Sequence, residues 1–282
     1  AATPMQLLAM GLLFVGFAFK VSAVPFHMWT PDAYEGAPPA VTGFMSTGVK
    51  AAAFAAFTRV FLSAYAPLSA QWTPVLWVVA AATMIVGTVV GVAQSNIKRM
   101  LAYSSIAHGG YLLVALLAGG TIGKGAVLFY LLAYAATNLG AFGVIALLDT
   151  AERPNDKVRD YAGLWTAHPV LAGLMTVFML SLGGFPPFAG FIGKWYVFSA
   201  AVKAGYNGLA IIGVLTSVVS VFFYLRVVVM MYMTPADPAV TVPAVPRLAG
   251  VALLVSALLV FYLGILPARV LDWAAQSISS IF

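Results

Sequence analysis

A helix needs about 20 consecutive apolar residues to cross a bilayer core, and this 282-residue chain holds eight such stretches separated by short polar punctuation. They fall at 5–24, 38–64, 73–94, 101–119, 124–148, 168–204, 208–232 and 246–266. A soluble fold could not hide this much apolar surface. Hydrophobic residues make up 62% of the chain and charged residues 8%, against about 25% charged in ordinary soluble domains. The expected fold is therefore an all-α polytopic membrane protein with about eight transmembrane helices, one of them clearly broken. The stretch at 168–204 is too long for one straight crossing. Ser181-Leu182-Gly183-Gly184-Phe185-Pro186-Pro187 lies in its middle, where glycine and proline interrupt the backbone hydrogen-bond ladder. Two half-helices joined by an unwound link are predicted there. The first stretch has a milder version, with Pro25 closing it five residues after Lys20. Such breaks are tolerated at membrane depth where the freed backbone is buried in protein or lines a wet cavity.

Lys20, Lys50 and Lys194 lie inside apolar runs that contain no carboxylate. A charged amine is costly at membrane depth, so its ionisation responds to any neighbouring charge that moves; by default it is a candidate for ion or proton handling. Lys50 sits near the middle of its helix, with about 12 residues on either side, so its attachment point is roughly 18 Å from either end at 1.5 Å per residue. Lys194, in Gly190-Phe191-Ile192-Gly193-Lys194-Trp195-Tyr196, follows the Pro186-Pro187 break by about a turn and a half. Lys20 has two readings, a functional amine or a side chain that snorkels to the headgroups from a helix end. Every Asp and Glu (Asp32, Glu35, Asp149, Glu152, Asp156, Asp160, Asp237, Asp272) falls in a loop, a tail or at a helix end. A counter-ion within the membrane is expected from another chain or from residues before Ala1.

His108 lies in Ser104-Ser105-Ile106-Ala107-His108-Gly109-Gly110, among hydroxyls and small residues. It suits two roles equally, a proton relay through bridging water or a satisfied polar residue in a helix contact. His27 and His168 stand at helix margins and read as interfacial or capping residues. Tyr103, Tyr130, Tyr134, Thr137 and Asn138 could line a hydrated path or serve ordinary packing. Gly87-Thr88-Val89-Val90-Gly91 is a Gly-x-x-x-Gly motif for close helix contact. The chain has no Cys, which removes a disulfide framework, thiolate iron–sulfur ligation and a zinc knuckle. No Gly-rich nucleotide loop, catalytic triad or acid pair is present, so the chain offers no home for NADH, flavin or ATP, and no cofactor is expected in it. The net charge of +6 is scattered singly among helices and loops, which argues against nucleic acid.

Basic residues near the loop ends set orientation. With eight crossings both termini share a side, which holds Arg59, Lys124, Lys203 and Arg269. The opposite side holds Lys98, Arg99, Arg153, Lys157, Arg159, Arg226 and Arg247, and this richer side is expected in the cytoplasm or matrix. The connection from Asp149 to Ala167 mixes acids and bases and reads as a solvated link or short surface helix. The opening Ala1-Ala2-Thr3-Pro4 runs into a span without the basic region of a signal peptide, which suits a piece of a longer chain.

Three stretches carry a resemblance. The run from Phe19-Lys20-Val21-Ser22-Ala23-Val24-Pro25-Phe26-His27-Met28-Trp29-Thr30-Pro31-Asp32-Ala33-Tyr34-Glu35-Gly36-Ala37-Pro38, followed by Lys50 and Arg59, resembles the antiporter-like membrane subunits of respiratory complex I. So do Asn96-Ile97-Lys98-Arg99-Met100-Leu101-Ala102-Tyr103-Ser104-Ser105-Ile106-Ala107-His108 and Phe185-Pro186-Pro187-Phe188-Ala189-Gly190-Phe191-Ile192-Gly193-Lys194. The Trp29-to-Pro38 segment is similar to the N type of the three; the other two typically read Trp-Leu-Pro-Asp-Ala-His there.

The resemblance implies a fold of two five-helix inverted repeats, each with a broken helix near its charged centre. Residues 1–64 would be the last two helices of the first repeat, 73–232 the complete second repeat with its broken helix at 168–204, and 246–282 a C-terminal transmembrane helix and tail. The helices that complete the first repeat, with a buried glutamate to pair with Lys20, would precede Ala1. Lys20 and Lys50 would serve the proton half-channel of the first repeat and Lys194 the exit side in the second, with His108 between them. Implied partners are the other membrane subunits of complex I, the lipid bilayer, protons and internal water. The implied location is a bacterial plasma membrane or mitochondrial inner membrane, and quinone reduction in other subunits would drive the pump. Two alternatives share the lysine pattern: a subunit of a multicomponent sodium/proton antiporter or membrane-bound hydrogenase, and a structural membrane spacer.

Overall fold

A computed structural model describes residues 3–149, 155–235 and 245–281, and among these no β-strand occurs beyond one isolated bridge between Asn96 and Lys157. Among the described residues six helices are long and apolar enough to span a membrane. They are α3 (Pro39–Ala64), α4 (Ala66–Val92), α5 (Ile97–Ala118), α6 (Gly120–Leu148), α9 (Asn207–Met233) and α10 (Arg247–Ile265). Shorter helices are α1 (Pro4–Lys20), α2 (Trp29–Gly36), α7 (Pro169–Gly183), α8 (Ala189–Lys203) and α11 (Ala268–Ile281), with single turns at Val158–Tyr161 and Leu164–Ala167 in the connection before α7. Counting α1 with α2 as one interrupted crossing and α7 with α8 as another, the crossings number the eight read from the apolar stretches.

The helix ends follow local chemistry. Thr3 and Gln6 form a reciprocal capping box at the start of α1, and Pro4 takes the first helical position, where a missing N–H costs nothing. Asn96 caps α5 by accepting from the Arg99 N–H at 3.0 Å. Gly184, at φ +87°, ends α7 in a left-handed conformation open to glycine.

Helix α5 is the spine of the bundle, buried along nearly all its length. Close approach to α4 depends on small residues: a Cβ at Gly87 would lie 2.6 Å from the Ala107 nitrogen, and one at Gly110 would lie 2.9 Å from the Met84 nitrogen. An aromatic cluster ties α1 to α3 and α4, with Phe17 stacked on Phe57 at 5.1 Å and Phe61 edge-on to Trp72 at 5.6 Å. The outward faces of α1, α9 and α10 expose Leu8, Leu12, Val214, Val218 and Leu254, as expected of surfaces turned to hydrocarbon.

Three details depart from the expected elements. The first helix ends at Lys20 rather than 24, because the chain turns at Ser22 (φ +66°) and re-enters a helix at Trp29, where a loop was expected. Helix α3 is continuous but carries π-helical turns at Met45–Val49 and Val60–Ala64, which no apolar periodicity signals. The expected tail contains α11, which buries Ala274 and Ile278 and exposes Trp273; fourteen residues are too few to register as a spanning stretch. Glu152, Arg153 and Asp237 lie outside the described residues.

On the face expected to be cytoplasmic, the turn from Ser95 to Arg99 gathers its neighbours. Arg99 donates to Asp32 (2.6 Å) and Glu35 (2.8 Å) on α2, and Asn96 donates to Glu35 at 3.0 Å. Lys98 is buried and paired with Asp156 at 2.9 Å. The Ile97 N–H donates to the Asp156 carbonyl and the Val158 N–H to that of Ser95. Arg226 reaches from α9 to the carbonyls of Val92 and Gln94.

Candidate functional site

Lys50 starts the α-helical turn after the Met45–Val49 π-turn, about 16 Å along the axis from the start of α3 and about 21 Å from its end. A π-turn lacks the regular i→i−4 pairing, so its carbonyls need other donors. The Ser46 and Thr47 hydroxyls provide them, donating to the Gly43 carbonyl at 2.9 and 2.8 Å. Ser46 Oγ also accepts from Asn138 Nδ2 of α6 at 2.6 Å, which fixes this part of α3 against α6. So held, Lys50 is 2% exposed, and its Nζ donates to Ser105 O at 2.7 Å and Ser105 Oγ at 2.6 Å. Gly109, one turn beyond Ser105, lies beside the amine, where an added Cβ would stand 3.3 Å from the Val21 carbonyl and 3.8 Å from Nζ.

Lys194 sits at the other broken crossing. Ending α7 at Gly183 frees the last carbonyls of that half-helix, and the freed oxygens are negative ends of aligned peptide dipoles. Lys194 Nζ donates to Leu182 O and Gly183 O, both at 2.9 Å, and to Ser217 Oγ of α9 at 2.8 Å. These three acceptors match the three donors of an ammonium group. The amine also lies 5.5 Å from the centre of the Tyr111 ring. On the opposite side of the break, the Gly190 N–H at the start of α8 donates to Ser181 Oγ at 3.2 Å. Only glycine fits here, because a Cβ on residue 190 would lie 1.8 Å from the Ser181 carbonyl oxygen.

Between the two amines stands His108. Its Nδ1 is 2.6 Å from the Tyr130 hydroxyl and its Nε2 is 3.1 Å from that of Tyr224, which in turn meets Ser104 Oγ at 2.5 Å. A neutral imidazole has one N–H and one lone pair, so one tyrosine donates to it and the other accepts. Ser105, which holds Lys50, and Tyr111, beneath Lys194, lie on α5 either side of His108 and about 9 Å apart along the axis. A cavity of about 10 Å³, enough for about one water, is lined by His108, Tyr130, Tyr134, Thr137, Ser181 and neighbours. The Tyr134 hydroxyl is buried without a partner, and Thr137 Oγ1 meets Ser181 Oγ at 3.0 Å. Among the described residues neither Lys50 nor Lys194 has a carboxylate within 4 Å.

The structure thus brings Lys50, His108 and Lys194 to one buried polar seam. Lys20 stays apart, exposed at the end of α1. Thr137 and Asn138 border the seam as packing and hydrogen-bonding residues, while Tyr103 is only half-buried. His27 and His168 are marginal: His27 lies in the α1–α2 link and His168 precedes Pro169. In the α6–α7 connection, burial raises the pKa of the Tyr161 hydroxyl, and Asp156, Asp149 and Asp160 add to the effect. Sequence reasoning missed Tyr224 and Ser217. Thr216, Ser217, Ser220 and Tyr224 form a polar stripe at helical spacing on the largely apolar α9, a signal that could have found them.

Comparison with known proteins gives consistent results. Residues 1–220 match the family model described as NADH:quinone oxidoreductase/Mrp antiporter, TM. A protein of Trichlorobacter lovleyi named NADH-quinone oxidoreductase subunit N is 51% identical over 281 residues, covering 100% of this chain and 58% of its own length. A protein of the same name from Moorella thermoacetica is 45% identical over 282 residues, covering 100% of this chain and 59% of its own. The chain therefore spans a little over half the length of these relatives. A chain of respiratory complex I from Thermus thermophilus with bound Aureothin superposes with a TM-score of 0.83 at 38% identity, over 96% of this chain and 60% of its own. A chain of the Mrp complex from Dietzia sp. shares the fold, with a TM-score of 0.87 at 24% identity over 98% of this chain and 59% of its own.

Proposed function

Since this chain belongs to the NADH:quinone oxidoreductase/Mrp antiporter transmembrane family, we propose that it forms part of subunit N of an NADH:quinone oxidoreductase and carries protons along Lys50, His108 and Lys194. The observation that carries this reading is the pair of buried amines without carboxylates among the described residues, Lys50 held by Ser105 of α5 and Lys194 by α7 and α9 over the Tyr111 ring, with a histidine of α5 between them bonded at both ring nitrogens. An uncompensated buried charge is costly, so a proton arriving at one amine is disfavoured while the other is charged, and gain at one site drives loss at the next. His108 passes the proton by exchanging which nitrogen holds it, with Tyr130 and Tyr224 reversing their hydrogen bonds. The electron transfer that drives the pump takes place in other subunits, and the chain itself holds no redox centre.

Residues 1–64 supply two helices of a first repeat, 73–232 the second five-helix repeat, and 246–282 the C-terminal helix and its amphipathic extension. The two interrupted crossings, one beside Lys20 and one beside Lys194, favour that division. Lys20, at the end of α1, serves the half-channel of the first repeat together with Lys50. The subunit N names of the relatives at 45% and 51% identity favour the oxidoreductase over an antiporter complex. The test is Lys50→Met and Lys194→Met in the assembled complex, measuring proton pumping against electron transfer. Each variant is expected to lower pumping relative to electron flow; unaltered pumping in an intact assembly would overturn the relay.

A further inference from the structure

A groove of about 690 Å³ opens between α8 and α9 on the outer face of the bundle, behind the Lys194 seam. Its walls are apolar, with Trp195, Val202, Ile211, Val214 and Leu215 each about half exposed. Phe198 forms part of the floor, seated so closely over α9 that a Cβ at Gly213 would lie 2.3 Å from its ring. The polar end is made by Lys203, the last residue of α8, and Asn207, the first of α9.

Depth and charge identify what fits. The groove runs from Lys203 to Trp195 along α8 and from Asn207 to Leu215 along α9. Eight residues on each helix correspond to about 12 Å of depth, close to one leaflet of a hydrocarbon core about 30 Å thick. Lys203 and Asn207 lie where a spanning helix begins, at headgroup level. The Lys203 amine has no ion-pair partner among the described residues, and no Asp or Glu occurs in the sequence between Asp160 and Asp237. We infer that this groove binds an anionic glycerophospholipid, its acyl chain between α8 and α9 and its phosphate on Lys203. The chain would rest on Phe198, which meets the Tyr111 ring edge-on at 5.6 Å, and Tyr111 in turn underlies Lys194. The bound lipid therefore buttresses the seam from the membrane side.

The test uses the full-length protein in its native assembly, reconstituted with phosphatidylglycerol or phosphatidylcholine carrying a photoactivatable diazirine in the acyl chain, and maps labelled peptides by mass spectrometry. Phosphatidylglycerol is expected to label the 195–215 region about fivefold more than phosphatidylcholine, the effect of one lysine on one anionic headgroup. Lys203→Gln should bring the two lipids to parity. Val214→Trp should suppress labelling by both by filling the groove. If Val214→Trp does not assemble, Lys203→Gln, which alters only an exposed side chain, still decides the matter. Equal labelling by the two lipids in the unsubstituted protein would overturn the inference. So would crosslinks from Lys203 to another polypeptide with no lipid label, which would show a protein partner filling the groove.

Discussion

Replacing Gly190 by alanine tests the seam at its tightest point. The added Cβ would stand 1.8 Å from the Ser181 carbonyl oxygen, whereas real Cβ contacts are essentially never under 3.0 Å, so the half-helices α7 and α8 must separate by about 1.2 Å. The two contacts under 3.0 Å are to the Ser181 carbonyl and the third, at 3.3 Å, is to the hydrogen-bonded Ser181 hydroxyl, so no flexible side chain can yield. Such overpacking costs about 1–3 kcal/mol. The larger consequence falls one turn along α8. The Lys194 bonds to Leu182 O and Gly183 O, now 2.9 Å, would lengthen to about 4 Å, outside hydrogen-bonding range. Bonds to a charged group are each worth about 1.5–3 kcal/mol, so the ammonium would lose most of what holds it in the interior. Proton pumping should fall by on the order of 10²-fold, as is common for a displacement of about 1 Å at a reacting group. Electron transfer, which the proposed function assigns to other subunits, should fall less. The assay is the ratio of pumped protons to electrons in proteoliposomes, with Gly173→Ala as control. That residue lies on α7 with open space around its missing Cβ, so its substitution should be neutral or stabilise the helix by about 0.5–1 kcal/mol. If Gly190→Ala assembles and keeps the unsubstituted ratio, the half-helix geometry does not position Lys194 as argued.

Further tests follow from other contacts. Tyr224→Phe keeps the ring but removes the hydroxyl shared by His108 and Ser104, and should lower the pumping ratio without loss of assembly, read by native gel and proton uptake. Gly87→Val should push α4 off α5, since even a Cβ meets the Ala107 nitrogen at 2.6 Å; a lower melting temperature of the assembled complex, reflecting about 1–3 kcal/mol, would register it. Lys98→Met leaves the half-exposed Asp156 without its partner and should destabilise the 155–161 connection by about 1 kcal/mol, seen as faster amide exchange there.

The broad plan was legible because membrane spans announce themselves by length and apolarity alone, and because glycine and proline punctuate a helix wherever they fall. The α7–α8 break was placed correctly on that basis, and Lys50 and Lys194 stood out because no ordinary packing role calls for a charge there. The rest depended on information that periodicity does not hold. The π-turn before Lys50 arises from hydroxyls that compete for one carbonyl, and serine and threonine in an apolar helix more often do nothing of the kind. Helix α2 was missed because its proline and acidic residues resemble a loop until Arg99 and Asn96 hold it in place. Lys98 reads as a loop cation, but its partner Asp156 lies 58 residues away, and such a pairing is a property of the folded chain.

The fully occupied ammonium of Lys194 has a consequence for any step in which it gives up its proton. A neutral amine offers two hydrogens and one lone pair, so one of its three neighbours must lose a donor. The peptide oxygens of Leu182 and Gly183 can only accept, and leaving either bare would be expensive. Ser217 alone can turn its O–H around and point it at the nitrogen. Discharge of the lysine would then be recorded as the rotation of a single hydroxyl on α9, a motion small enough to occur with the backbone at rest.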